Sequence, residues 1–96
     1  MLSTVKSGRF EPGRLVATLP VLGAVPKEEI LAAYCRHLSC DWGNAVACDW
    51  KRNDEAVQNG GRLFSEYKAV SGQIFWIFTE EDRSATTVLL PEDYQE

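Results

Sequence analysis

The stretch that decides the fold is Gly61-Arg62-Leu63-Phe64-Ser65-Glu66-Tyr67-Lys68-Ala69-Val70-Ser71-Gly72-Gln73-Ile74-Phe75-Trp76-Ile77-Phe78-Thr79-Glu80-Glu81-Asp82-Arg83-Ser84-Ala85-Thr86-Thr87-Val88-Leu89-Leu90-Pro91. Three runs rich in β-branched and aromatic residues, Arg62–Ala69, Gln73–Thr79 and Ala85–Leu90, are parted by two short polar turns. That punctuation predicts an antiparallel β-meander. In the first run Leu63, Ser65 and Tyr67 alternate with Phe64, Glu66 and Lys68, so one face is expected to be poorly buried. The second run holds five consecutive large apolar residues, which marks a central strand covered on both faces. Helices are expected to supply one cover, and a partner subunit the other.

Upstream, the turn chemistry of Pro12-Gly13 precedes a loosely alternating segment, Arg14–Leu19, read as a short strand ended by Pro20 and a turn at Gly23. Pro26 suits the first position of a helix, and Glu28 and Glu29 favour its first turn. Ile30, Leu31, Tyr34, Cys35 and Leu38 then recur at helical spacing, so a helix is predicted over Pro26–Leu38 with that stripe buried. Ser39–Asn44 interrupts the pattern, with Asp41 or Asn44 available to cap the next helix. That second helix is predicted over Ala45–Gln58, with a stripe of Val46, Trp50 and Val57. Asn53 sits in register on it, a structural amide expected to bond the meander backbone. Asn59-Gly60-Gly61 stops the helix. The fold class expected is α+β: a short N-terminal strand, two helices, and a three-stranded antiparallel meander packed on them. The whole chain reads as one domain, with residues 1–12 as a flexible N-terminal segment.

The formal charge of −4 and the absence of any Lys/Arg cluster longer than Lys51-Arg52 argue against a nucleic-acid partner. No segment has the length and apolarity of a membrane span, and Met1–Gly13 lacks the apolar run of a signal peptide, so a cytoplasmic setting is expected. Three cysteines, Cys35, Cys40 and Cys48, are an odd count that favours reduced thiols. With His37 they mimic a zinc set, but the spacing lacks a Cys-x-x-Cys knuckle. No metal or cofactor is expected.

Candidate chemistry is sparse. His37 is the only histidine, lies near a helix end close to Asp41, and is the natural general base if there is one; the bland alternative is a ring packed under Trp42. Arg62, Ser65 and Tyr67 begin the meander, while Glu80, Asp82, Arg83, Ser84 and Thr86 surround its far turn. Converging on one rim, they would hold an anion through the arginines. Turn formation is the weightier alternative, with Asp82 closing on Ser84 and Arg83 paired to Glu80 or Glu81. No Gly-x-Ser-x-Gly elbow activates a serine.

Three segments, Arg36-His37-Leu38-Ser39-Cys40-Asp41-Trp42-Gly43, Gly61-Arg62-Leu63-Phe64-Ser65-Glu66-Tyr67 and Trp76 through Pro91, together resemble a family of small uncharacterised bacterial proteins of plasmids, integrated elements and integron gene cassettes. Gly13-Arg14-Leu15-Val16-Ala17-Thr18 fits as well, so the resemblance spans Phe10 to Tyr94. Cys40 stands where the family usually has glycine. Members are often labelled as a type I restriction-modification methylation subunit, yet this chain has neither a glycine-rich cofactor loop nor an Asn/Asp-Pro-Pro-aromatic string. The resemblance implies a mobile-element setting without an established activity. The expected function is a non-enzymatic accessory protein that binds a protein partner or pairs with itself through the meander face. A small ribonuclease-like toxin using His37 with Arg62 or Arg83 is the alternative.

Overall fold

The computed structural model describes residues 10–94. Of the N-terminal segment read as flexible, residues 1–9 lie outside the described residues. Phe10 and Pro12 belong to the packed structure: the Phe10 ring lies 6.2 Å from that of Trp42, and the Pro12 carbonyl accepts from Thr86 Oγ1 at 2.7 Å.

The order is β1 (Arg14–Ala17), α1 (Leu19–Ala24), α2 (Lys27–Leu38), α3 (Ala47–Asn59), β2 (Leu63–Lys68), β3 (Ile74–Thr79) and β4 (Ala85–Leu89), then a single 3-10 turn, Pro91–Asp93. The fold is α+β. The meander forms as expected: β2 and β4 flank β3 antiparallel, with Ser65 opposite Ile77 and Ile77 opposite Val88. The first strand joins this sheet, parallel to β4, giving the order β1-β4-β3-β2.

Three local expectations are corrected. Pro20 does not merely end β1. The Thr18 hydroxyl accepts from the Val21 N–H at 3.3 Å and caps α1, where Pro20 sits in the first turn and sacrifices no hydrogen bond. On α2 the buried stripe is Ile30, Ala33, His37 and Leu38, while Leu31 and Cys35 face solvent. The helix is thus rotated so that a small residue and the histidine, rather than a leucine and a thiol, meet the sheet. Neither Asp41 nor Asn44 caps α3; Val46 occupies that position without a side-chain bond, and it is exposed.

Leu63, Ser65, Tyr67, Phe75, Ile77, Thr79, Thr86 and Val88 form the inner face of the sheet, all nearly inaccessible beneath the helices. Alternation required Phe75 and Ile77 to face opposite to Trp76 and Phe78, and the structure turns Phe75 and Ile77 toward the helices. The outer face was expected to await a partner. Instead, Phe78 and Leu89 are buried and Phe64 and Trp76 half-buried. The chain covers much of this face itself: the Tyr94 ring stacks on Phe78 at 5.1 Å and the Arg62 guanidinium lies 4.4 Å over the same ring. Among the described residues the one large exposed hydrophobic on this face is Val16, at its β1 edge beside Thr87.

The free edge of β2 is closed by two devices. Asn53 of α3 donates to the Phe64 carbonyl at 2.6 Å and accepts from the Phe64 N–H at 3.2 Å, so its amide stands in for a neighbouring strand. Beyond it the loop takes over, with Asn44 N–H donating to the Glu66 carbonyl and Glu66 N–H to the Trp42 carbonyl. Asn53→Leu should cost about 2–4 kcal/mol, because two backbone groups lose their partner at a site closed to water. Asn53→Asp should rescue only part of it, since a carboxylate accepts from the N–H but opposes the carbonyl. Urea titrations measure both; a loss within about 0.5 kcal/mol for the leucine variant would refute this role.

A buried hydroxyl and histidine chain as the candidate site

The inward turn of α2 carries His37 into the core, where its side chain is fully buried. Its Nδ1 lies 2.5 Å from Ser65 Oγ on β2, and its Nε2 lies 2.9 Å from Thr79 Oγ1 on β3. Thr79 Oγ1 is 2.8 Å from Thr86 Oγ1 on β4, and Thr86 reaches the Pro12 carbonyl. One polar chain thus crosses the inner face of three strands and ends ahead of β1.

Its hydrogen positions are fixed from the Pro12 end. A carbonyl only accepts, so the Thr86 hydroxyl donates to Pro12. Thr86 must then accept from Thr79, and Thr79, its one proton spent, must accept from His37 Nε2. That fixes a proton on Nε2; with the buried ring neutral, Nδ1 then accepts from Ser65. Burial pushes the His37 pKa down from 6.5 to about 3, because a charged imidazolium would be stripped of water with no anion to offset the loss.

Aromatic rings enclose the chain. The ring of Trp42 meets His37 edge-on at 5.3 Å, and Phe10 does so at 5.5 Å. Trp42 is itself fully buried, with its Nε1 donating to Asp54 at 3.0 Å. Tyr67, beside Ser65 on the same face, donates to the Asp41 carbonyl at 2.7 Å, and burial raises its pKa above the ordinary phenol value.

The site residues named from sequence therefore divide into three places. His37, Trp42, Ser65, Tyr67 and Thr86 do converge, but inside the core. Asp41 does not orient His37. Its carboxylate takes a two-pronged bond from Arg36, at 2.8 and 3.2 Å, which with the Gly43 N–H lowers its pKa. Arg62 is on the outer face, donating to Tyr94 Oη at 3.2 Å. Arg83 clamps backbone: it donates to the carbonyls of Gly61 at 2.5 Å, Glu80 at 3.2 Å and Ala56 at 2.9 Å, tying the last turn of α3 to the β3–β4 turn. Its own φ of 62° places it in the left-handed region. Glu80 thus contributes a carbonyl rather than its carboxylate, while Asp82 accepts from the Ser84 N–H at 3.0 Å, which with the Ser84 side chain holds its pKa down. His37, Arg62 and Arg83 form no common cleft.

Thr79 is the member of the chain that residue-type reasoning missed. Its signal was present, since a threonine two residues beyond Ile77 continues the buried face of the central strand and requires a partner. Among the described residues no group of three His, Cys, Asp or Glu side chains is placed to hold a metal ion, and no helix is long and apolar enough to cross a membrane. None of the three cysteines forms a disulfide. No protein-family model, curated protein or solved structure matches the chain.

Proposed function

We propose that the protein is a non-enzymatic accessory factor of mobile DNA, carried on plasmids or gene cassettes, that works in the cytoplasm by binding protein rather than nucleic acid, either a partner or a second copy of itself. The observation that carries this reading is that four of the seven large exposed aliphatic residues among the described residues, Leu15, Val16, Leu19 and Leu22, lie on the edge strand β1 and the helix that directly follows it, while Leu31, Val46 and Val70 are scattered singly. The chemistry of the core supports it from the other side. A general base needs a ring nitrogen within reach of substrate, whereas both nitrogens of His37 are spent on buried hydroxyls and the ring is neutral. The arginines a ribonuclease would use as phosphate clamps are committed to Tyr94 and to backbone carbonyls.

Expression at endogenous level in a native host, with recovery of the tagged chain, tests the reading. Wild type should come back with a stoichiometric protein companion or a second copy, and growth should be unaffected. Val16→Lys should lose the companion while keeping its melting temperature. Growth arrest accompanied by RNA cleavage would overturn the proposal in favour of the toxin.

A further inference from the structure

The two edges of the sheet are treated differently. The β2 edge is closed by Asn53 and by the loop around Gly43. The β1 edge is not. Arg14 N–H donates to the Ser84 carbonyl and Thr18 N–H to the Val88 carbonyl, so residues 14, 16 and 18 turn their backbone groups toward β4. In a strand the intervening residues point the opposite way, which leaves the N–H and C=O of Leu15 and Ala17 directed outward. The usual guards of an open edge are lysines, a proline or a bulge within the strand. β1 has a single charge, Arg14, and two exposed aliphatics, Leu15 at 39% and Val16 at 37%.

We propose that β1 pairs antiparallel with β1 of a second copy across a two-fold axis at Val16, joining two four-stranded sheets into one of eight strands. This rests on the protein-binding reading above and names both the partner and the surface. Self-pairing is favoured because a single register uses every outward group of the strand. Leu15 opposite Ala17 of the other copy, and Ala17 opposite Leu15, exchange four backbone hydrogen bonds, and Val16 meets Val16 as the non-hydrogen-bonded pair between them. Sliding the register by one step in either direction brings in Gly13, whose φ of 67° is not that of a strand, or Leu19, which is already helical. In the favoured register Arg14 falls opposite Thr18 rather than opposite its own copy, so no like charges meet. The contact is isologous, so it closes at two subunits and does not propagate into fibres. Leu15 shares the inner face with Thr86, and Val16 the outer face with Thr87, so the junction buries aliphatic surface on both sides.

Sedimentation of the full chain across micromolar to near-millimolar concentration should give a dimer. Leu15→Pro removes one outward N–H and no bond to β4, and Val16→Lys sets like charges on the axis; each should give a folded monomer by circular dichroism. Register is read by oxidation. Cα atoms of a non-hydrogen-bonded pair lie about 4.5 Å apart, within disulfide range. Val16→Cys should therefore cross-link through residue 16, identified by peptide mapping apart from the native thiols, while Arg14→Cys should not. A monomeric wild type, or a dimer that survives both edge variants, overturns the proposal. If wild type is monomeric yet Val16→Lys still loses a companion protein in the host, self-pairing falls and the protein-binding reading stands.

Discussion

Replacing His37 with alanine should cost about 3–5 kcal/mol, the range for emptying a large buried site and orphaning polar neighbours. Ser65 loses its acceptor, Thr79 its donor, and Trp42 and Phe10 a face to pack on. A chain of this size has about 5–13 kcal/mol to lose, so the variant should melt far below wild type or not fold at room temperature. His37→Gln, which keeps a donor and an acceptor on one side chain, should recover part of the loss; a hydrophobic replacement of similar size should not. The same residue gives wild type an acid sensitivity. Because the folded pKa lies below the ordinary one, the unfolded chain binds the extra proton. The stability tied to neutral His37 is complete above pH 6.5 and drains away as pH falls toward about 3. The slope approaches about 1.4 kcal/mol per pH unit inside that window. Urea midpoints between neutral and mildly acid pH read it, and the His37→Gln variant must lack that component. An equal acid slope in both proteins would show that His37 is not the group responsible.

Gly43→Ala should be comparably damaging, by roughly 3–5 kcal/mol, through the combined strain and clash. Gly43 holds φ 68°, and a Cβ there would press into the Glu66 carbonyl and come within 2.7 Å of Tyr67 Cδ1. Neither can yield, because the first is strand backbone and the second is a buried ring already bonded to Asp41. Relief requires the loop to lift away, breaking the bonds between Glu66 and residues 42 and 44 and uncovering the β2 edge. Loss of protection in hydrogen exchange at Asn44 and Glu66, ahead of the rest of the sheet, is the signature to seek. Gly60 also has a positive φ but open space around it, so Gly60→Ala should cost only the backbone strain of a region nearly reserved for glycine, about 1–3 kcal/mol. Equal losses at the two glycines would contradict the steric account.

Local patterning determined which segments of this chain become strands and helices except at Leu19–Ala24, where a strand end and a Gly23 turn were expected and a Thr18-capped helix forms. Five large apolar residues in succession between polar turns leave little choice but a central strand, and Pro26 ahead of Glu28 and Glu29 favours the helix start found there. The need of Asn53 for a backbone partner was legible on the same grounds, since an amide on an apolar stripe must be satisfied. Tertiary structure alone decided which face of α2 turns inward. Leu31 and His37 are both plausible core residues by spacing, and the choice falls on His37 because Ser65, Thr79 and Thr86, distant in sequence, present a line of hydroxyls that only a two-ended polar ring can complete. It also decided that Arg62, Arg83 and His37 stand apart, for a side chain's partners depend on what the fold brings within a few ångströms of it. The fate of the sheet's outer face turned on the same principle. Alternation showed only that Phe75 and Ile77 face one way and Trp76 and Phe78 the other; the tertiary structure decided that the first set meets the helices and that the returning C-terminal segment lays Tyr94 on Phe78.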